Sequence, residues 1–201
     1  MLLTLDQITR CLAEHRPTLL PPGSGTQAAV ALIVRDSEHG PEGLFIERAT
    51  RDGDPWSGNV GFPGGRVEQE DGSLRETAER ETREEIGLDL SGSVHLGRLS
   101  DITGSHLPVR VACFVYLITG DPPLILSDDV TESFWVPLAA LTVPERRITA
   151  NIRFCDRTIT TPAIILPQSD KPLLWGITYR LVSEFLEIMG EGKPEGTTAT
   201  Q

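Results

Sequence analysis

The chain has 201 residues, of which 39% are hydrophobic and 23% are charged, a composition typical of a folded globular protein. Its formal net charge of −11 disfavours a surface that binds the phosphate backbone of DNA or RNA. No apolar run approaches the roughly 20 residues that a membrane span needs, so we expect neither a nucleic acid polymer nor a membrane as a partner.

The predicted elements mix helices and strands. The first is a short amphipathic helix, which begins at a capping box at 4–7 and ends near His15. The continuous apolar run over 28–34 is typical of a central strand covered on both faces. Further segments are predicted in chain order: strands at 44–48, a loop at 51–65, a helix at 73–86, strands at 94–102, 109–118, 134–138, 152–154 and 159–166, and an amphipathic helix at 173–189.

This order predicts one α/β domain over 1–189. The tail at 190–201 has no periodicity and is predicted to be disordered. Three widely spaced cysteines form no Cys-x-x-Cys pair, and the N-terminus has no basic region followed by a long apolar run. We therefore expect reduced thiols and a cytoplasmic location.

The helix at 73–86 contains five glutamates, which makes it the best candidate for chemistry. It begins at a second capping box, Ser73 with Glu76, and Gly87 supplies a left-handed C-cap. One interpretation is a solvated charged face paired with the arginines of the same helix. The other is a cation site, which needs carboxylates on the buried side.

The position of Glu85 around the helix axis favours the cation site. With Ala78 placed at zero, the apolar side lies between about −40° and +80°, and Glu85 falls inside it at about −20°. Glu81 and Glu84 follow at about −60° and about −120°, whereas Arg80 lies outward at about +200°. A buried carboxylate must be paired, protonated or bound to a cation, so converging carboxylates predict a hard-cation site.

Two glycines precede this helix. Gly64 and Gly65 follow Phe62 and Pro63, and glycine lets the backbone approach a metal or phosphate closely. A glycine carbonyl can also serve as a ligand. The alternative is an ordinary turn.

The segment from Gly65 to Leu88 resembles the Nudix box, G-x5-E-x7-R-E-U-x-E-E-x-G-U, in which U is apolar. The matching stretch reads Arg80-Glu81-Thr82-Arg83-Glu84-Glu85-Ile86-Gly87-Leu88, with Thr82 at a usually apolar position. The segment before Arg80 is one residue longer than in the box, and either Glu70 or Asp71 stands in for the early glutamate. The resemblance implies the Nudix fold, an α/β/α sandwich around a mixed β-sheet.

The resemblance also implies a metal centre. One or more Mg²⁺ or Mn²⁺ ions would be held by the carboxylates of Glu81, Glu84 and Glu85 and by the carbonyl of Gly64. Arg80 would orient the loop or Glu81, with a surface salt bridge as the alternative. An acidic residue from a later loop is expected as a further ligand or base: Asp129 first, with Asp128 and Glu132 as rivals.

Four side chains near this box are candidates for substrate contacts. Arg48, Arg51 and Arg66 would contact phosphate, with solvated surface charges as the alternative. Trp56 would stack on a base or ring, with a tryptophan that covers the core as the alternative.

An upstream pattern resembles in part the signature of coenzyme A pyrophosphatases, LLT-x-R-S-A-x3-R-x3-G-x3-F-P-G-G. Arg48, Gly58 and 62–65 fall at the expected offsets, whereas Asp54 replaces the second arginine and 49–50 reads Ala-Thr instead of Ser-Ala. Coenzyme A is therefore one candidate substrate among several.

The predicted function is metal-dependent hydrolysis of a phosphoanhydride (diphosphate) bond in a nucleoside diphosphate derivative. A non-catalytic, nucleotide-sensing Nudix domain and a nucleoside triphosphate pyrophosphohydrolase are the alternatives. The expected partner is a small nucleotide-like molecule, and a homodimer is left open.

Overall fold

A mixed β-sheet with helices on both faces organises the computed structural model, which describes residues 3–21, 25–51, 56–104 and 108–190. Its helices are α1 (Leu5–Glu14), α2 (Leu74–Ile86) and α3 (Gly176–Ile188). Its strands are β1 (Thr26–Arg35), β2 (Glu42–Arg48), β3 (Val60–Gly61), β4 (Gly64–Arg66), β5 (Val94–Arg98), β6 (Ile102–Thr103), β7 (Val109–Leu117), β8 (Val130–Pro137), β9 (Arg147–Phe154), β10 (Arg157–Ile164) and β11 (Leu174–Trp175).

The larger sheet has the order β3-β2-β1-β7-β5, with β4 also paired to β1, β6 to β7 and β8 to β2. Strands β1 and β7 run parallel, with Thr26 opposite Val109 and Val34 opposite Leu117, and the other pairs are antiparallel. Strands β11, β10 and β9 form a separate antiparallel sheet. The prediction of a mixed sheet is confirmed.

Strand β1 divides the core into two layers because its side chains alternate between the faces of the sheet. Leu32 and Val34 pack in the layer that contains the apolar residues of α1 and α3. Ala31 and Ile33 point to the other face and pack in the layer of α2. The strand is therefore apolar at successive positions, and the predicted α/β/α sandwich is confirmed.

Strands β8 and β9 begin earlier than predicted, at Val130 and Arg147, and three further segments differ from the prediction. The segment at 51–65, predicted as loop, contains β3 and most of β4. These short strands pair with β2 and β1 through their backbones, and their sequences show no alternation of apolar and polar residues that would predict a strand. The strand predicted at 94–102 is interrupted at 99–101, where the buried carboxylate of Asp101 pairs with Arg98 and with Arg110 of β7. The helix predicted from 173 begins at Gly176, after the short strand β11.

The predicted tail at 190–201 lies, apart from Gly190, outside the described residues. None of the helices in the described ranges is both long enough and apolar enough to cross a membrane.

Small residues let α2 lie close to the sheet. Ala78 of α2 is fully buried, in the same cluster as Ala29, Ala31 and Ala112 of the strands beneath it. This close packing fixes the distance between α2 and the sheet.

We predict that Ala78→Leu lowers the free energy of unfolding by about 1–3 kcal/mol, because the added carbons have no space in a packed layer. Urea denaturation followed by circular dichroism measures the change. Ala139→Leu, at an exposed position, is the matched control and is expected to stay within about 0.5 kcal/mol of the unmodified chain. Equal stabilities for the two variants would contradict the packing described for α2.

Candidate active site

Helix α2 begins and ends where the sequence predicts. The hydroxyl of Ser73 accepts a hydrogen bond from the backbone N–H of Glu76 at 3.2 Å. Gly87 adopts the left-handed conformation, with φ 69°, and its N–H donates to the carbonyl of Arg83. Both capping predictions are confirmed, and they set the register of the glutamates between them.

Glu85 faces the protein interior, as its angle on the helix predicted. It is only 6% exposed. Its Oε2 accepts a hydrogen bond from the N–H of Gly64 at 2.8 Å, and its Oε1 lies 3.4 Å from Nη1 of Arg48. Burial raises the pKa of Glu85 to about 7, and the Gly64 N–H and Arg48 only partly oppose this. The charged form of Glu85 is therefore disfavoured unless further positive charge lies beside it.

The two glycines before α2 are each required by a close approach. Gly64 has φ +149°, and a β-carbon there would lie 2.3 Å from the carbonyl oxygen of Ala29. A β-carbon on Gly65 would lie 2.4 Å from the carboxylate of Glu81. The glycines therefore allow the backbone to contact β1 on one side and a box glutamate on the other.

Arg80 does not lie on a solvated face, and the outward position predicted for it is wrong. Its side chain is 15% exposed and forms two hydrogen bonds of 2.9 Å to the carboxylate of Asp71, which is itself 5% exposed. Its other contacts, each at 3.0 Å, are Oε1 of Glu81, Oε2 of Glu84 and the carbonyl of Arg66.

The angle predicted for Arg80 takes only the sheet as the buried side of the helix. The loop between β4 and α2 covers a second side of the helix, where Thr77 is fully buried and donates to Asp71. The hydrogen bond from Arg80 holds the pKa of Asp71 well below its usual range. Asp71 is thus the acidic residue that contacts α2, whereas Glu70 is exposed.

The candidate residues surround one cavity of about 850 Å³. Ten residues are predicted from the sequence as first candidates to bind metal, contact substrate or act in catalysis. Nine of them line the cavity: Arg48, Arg51, Trp56, Gly64, Arg66, Glu81, Glu84, Glu85 and Asp129. The tenth, Arg80, contacts two of these glutamates from beside the cavity. The structure therefore brings residues from five separate segments of the chain to one place.

Asp129 lies in this cavity and forms an ion pair of 2.5 Å with Arg51. Its charge contributes to the raised pKa of Glu85. The loop that carries it is fixed to α2, since the N–H of Ser127 donates to the carbonyl of Glu85 at 2.9 Å. Of the rivals, Asp128 is exposed and Glu132 pairs with Lys171, and neither lines the cavity.

Sequence reasoning missed part of the cavity wall. Asn59, Trp175, Ile177, Thr178 and Leu181 also line it. The four C-terminal residues belong to β11 and α3, whose apolar pattern indicates core packing equally well. Nothing in the sequence alone shows that this helix lines the same cavity as the glutamates.

A family model described as the NUDIX domain matches residues 25–156. The chain belongs to the Nudix family. The match includes β1 to β9 and the whole of α2, and it ends before β10 and α3.

Several curated proteins are similar to this Nudix chain, and two of the three described next are named as Nudix hydrolases. The "Uncharacterized Nudix hydrolase NudL" of Pectobacterium atrosepticum is 28% identical over 182 residues, which are 89% of this chain and 91% of the relative. The "Probable nudix hydrolase C6G9.05" of Schizosaccharomyces pombe is 27% identical over 191 residues, 92% of this chain and 65% of the relative. The "Uncharacterized protein C14C4.10c" of the same organism is 32% identical over 171 residues, 72% of this chain and 52% of the relative.

The chain thus spans between about half and two thirds of the length of the two yeast relatives. Among solved structures, a MutT/nudix family protein from Enterococcus faecalis aligns with a TM-score of 0.56 at 18% identity. The alignment covers 94% of this chain and 70% of that chain, and it supports the Nudix fold.

The donor set of this Nudix domain fits a hard divalent cation, because all its donors are oxygens. Arg80 contacts one oxygen each of Glu81 and Glu84, which leaves the second oxygen of each carboxylate for a ligand. Within the described ranges, no three His, Cys, Asp or Glu side chains lie close enough together to hold an ion. The carboxylates are held instead by Arg80 and by the N–H of Gly64.

We predict that Asp71→Asn lowers the free energy of unfolding by about 1–3 kcal/mol near neutral pH, because Arg80 loses its most buried carboxylate partner. The pKa of Asp71 is lower in the folded than in the unfolded state. Its stabilising effect is therefore present above about pH 4 and is lost as the pH falls below that value. Urea denaturation at several pH values measures the difference between the two proteins.

Asp156→Asn is the control, since its carboxylate is 97% exposed and lies 3.6 Å from Arg153. We expect little effect from it at any pH. If the difference in free energy of unfolding between the unmodified protein and Asp71→Asn stays constant down to pH 2, the lowered pKa assigned to Asp71 is contradicted.

Proposed function

We propose that this Nudix chain is a metal-dependent hydrolase that cleaves a phosphoanhydride bond in a nucleoside diphosphate derivative. The observation that carries the proposal is the buried carboxylate of Glu85, which shares a cavity with Glu81, Glu84 and Asp129. Arginines pair with these carboxylates, yet burial and the charges of Glu81 and Asp129 still raise the pKa of Glu85.

The proposed metal ligands are the carboxylates of Glu81, Glu84 and Glu85, the carbonyl of Gly64 and, from the later loop, Asp129. Bound Mg²⁺ or Mn²⁺ would supply positive charge to the diphosphate oxygens and lower the pKa of the attacking water. The raised pKa of Glu85 and the free second oxygens of Glu81 and Glu84 support this assignment.

The chain's own residues would bind and orient the diphosphate. Arg48, Arg51 and Arg66 line the same cavity and are the proposed phosphate contacts. Arg48 and Arg51 now pair with Glu85 and Asp129, so each arginine is already beside a proposed ligand. Arg80 is proposed as a positioning residue, since it holds Glu81 and Glu84 from the side away from the cavity.

The size of the cavity favours a nucleotide derivative over inorganic diphosphate. A volume of about 850 Å³ is in the upper part of the range for small-molecule sites. Coenzyme A remains among the proposed substrates, on the partial match of the upstream pattern. Asp54, which departs from that pattern, lies outside the described residues.

We expect the unmodified protein with Mg²⁺ or Mn²⁺ to hydrolyse at least one of coenzyme A, ADP-ribose, NADH and nucleotide sugars. Glu85→Gln is expected to lower kcat about 100-fold or more, because it removes a charged donor at the reacting centre. Product analysis by chromatography identifies the bond that is cleaved. Glu187→Gln, at an exposed position of α3, is the matched control and should keep full activity.

Absence of turnover on all four substrates with folded, metal-loaded protein would contradict the proposal. Tight nucleotide binding that survives Glu85→Gln without any turnover would favour a nucleotide-sensing domain. Preferential release of pyrophosphate from nucleoside triphosphates would favour the triphosphate alternative.

A further inference from the structure

Aromatic rings form one part of the cavity wall. Trp56 and Trp175 line the cavity, and Phe154 contacts both, with ring centroids 5.2 Å and 5.5 Å away. The three rings come from the loop before β3, from β11 and from the end of β9. Trp56 and Trp175 form an aromatic surface of the cavity, and Phe154, which is buried and does not line the cavity, packs against both rings.

A polar side chain borders this surface. The indole N–H of Trp175 donates to Oδ1 of Asn59 at 3.1 Å, which orients the carboxamide. This bond uses the carboxamide oxygen and leaves the Nδ2 amino group as a donor. Thr178 adds a hydroxyl to the same wall. The aromatic part of the cavity thus presents hydrogen-bonding groups without charge.

The aromatic surface is directly connected to the charged part of the site. The backbone N–H of Arg48 donates to the carbonyl of Asn59 at 3.0 Å, and the N–H of Asn59 donates to the carbonyl of Trp56 at 3.2 Å. Arg48 in turn contacts Glu85. Arg48 and the two tryptophans line the same cavity, so a ligand with its phosphates at Arg48 can extend toward the aromatic surface.

Trp175 and Thr178 lie beyond the 25–156 segment that the family model matches. Their position depends on pairing within the C-terminal sheet, where Trp175 lies opposite Ala163 of β10. This part of the wall is consequently supplied by the chain's C-terminal segment and not by the matched Nudix segment.

We propose that Trp56, Trp175 and Asn59 form a subsite for the nucleobase of the substrate. Flat aromatic rings and an oriented carboxamide suit a planar, uncharged group with hydrogen-bonding edges better than a flexible aliphatic chain. The assignment of this group to a substrate rests on the proposed function, whereas binding of a nucleobase at the subsite does not require hydrolysis.

Adenosine 5′-monophosphate without added metal is the test ligand, and quenching of tryptophan fluorescence is the measurement. The chain has three tryptophans. Trp135, which stacks on Arg35 at 4.1 Å and lines neither part of the cavity, provides the control variant Trp135→Phe. We expect Trp175→Ala to weaken binding about fivefold or more, as loss of base stacking does.

Trp175→Phe keeps a ring and is expected to bind more tightly than Trp175→Ala, which separates stacking from a folding defect. Asn59→Ala is expected to weaken binding as well. Adenosine 5′-monophosphate has no phosphoanhydride bond and the assay contains no metal, so loss of hydrolysis and loss of base binding are measured separately.

Three results would overturn the subsite. The first is equal affinity of Trp175→Ala, Asn59→Ala and Trp135→Phe for adenosine 5′-monophosphate. The second is equally tight binding of ribose 5-phosphate, which has no base. The third is binding of 4′-phosphopantetheine but not of adenosine 5′-monophosphate, which would assign the surface to an aliphatic arm.

Discussion

Burial of one carboxylate is the constraint on which the rest of this site depends. Glu85 lies near the end of α2, within a layer that is otherwise apolar, and the N–H of Gly64 is its shortest contact. To reach that N–H, the helix must approach β1 and β4 closely. The closeness in turn requires glycine at 64 and 65 and alanine at 78.

Hydrogen bonds from Arg80 fix the positions of Glu81 and Glu84. The planar fork of Arg80 matches the carboxylate of Asp71 on one edge and still contacts Glu81 and Glu84. Lysine would provide the charge without this geometry. The loop before α2, the helix and strand β4 are thereby joined through a single side chain, since Arg80 also binds the carbonyl of Arg66.

The sequence could predict what is periodic or local. The run of apolar residues at β1, the caps of α2 and the inward angle of Glu85 each follow from a short segment. Arg80 could not be placed in this way, because a helical angle is defined against the sheet and says nothing of a loop that folds over another side. The aromatic surface could not be predicted for a similar reason: Trp175 contacts Asn59 and Phe154 only through long-range packing.

A crystal structure with Mn²⁺, with the ion located by its anomalous scattering, tests most directly whether the buried carboxylates form a metal centre. We expect an ion within about 2.3 Å of oxygens of Glu81 and Glu85, beside Gly64. An ion bound elsewhere in the protein, with Glu85 still held only by the Gly64 N–H and Arg48, would contradict it.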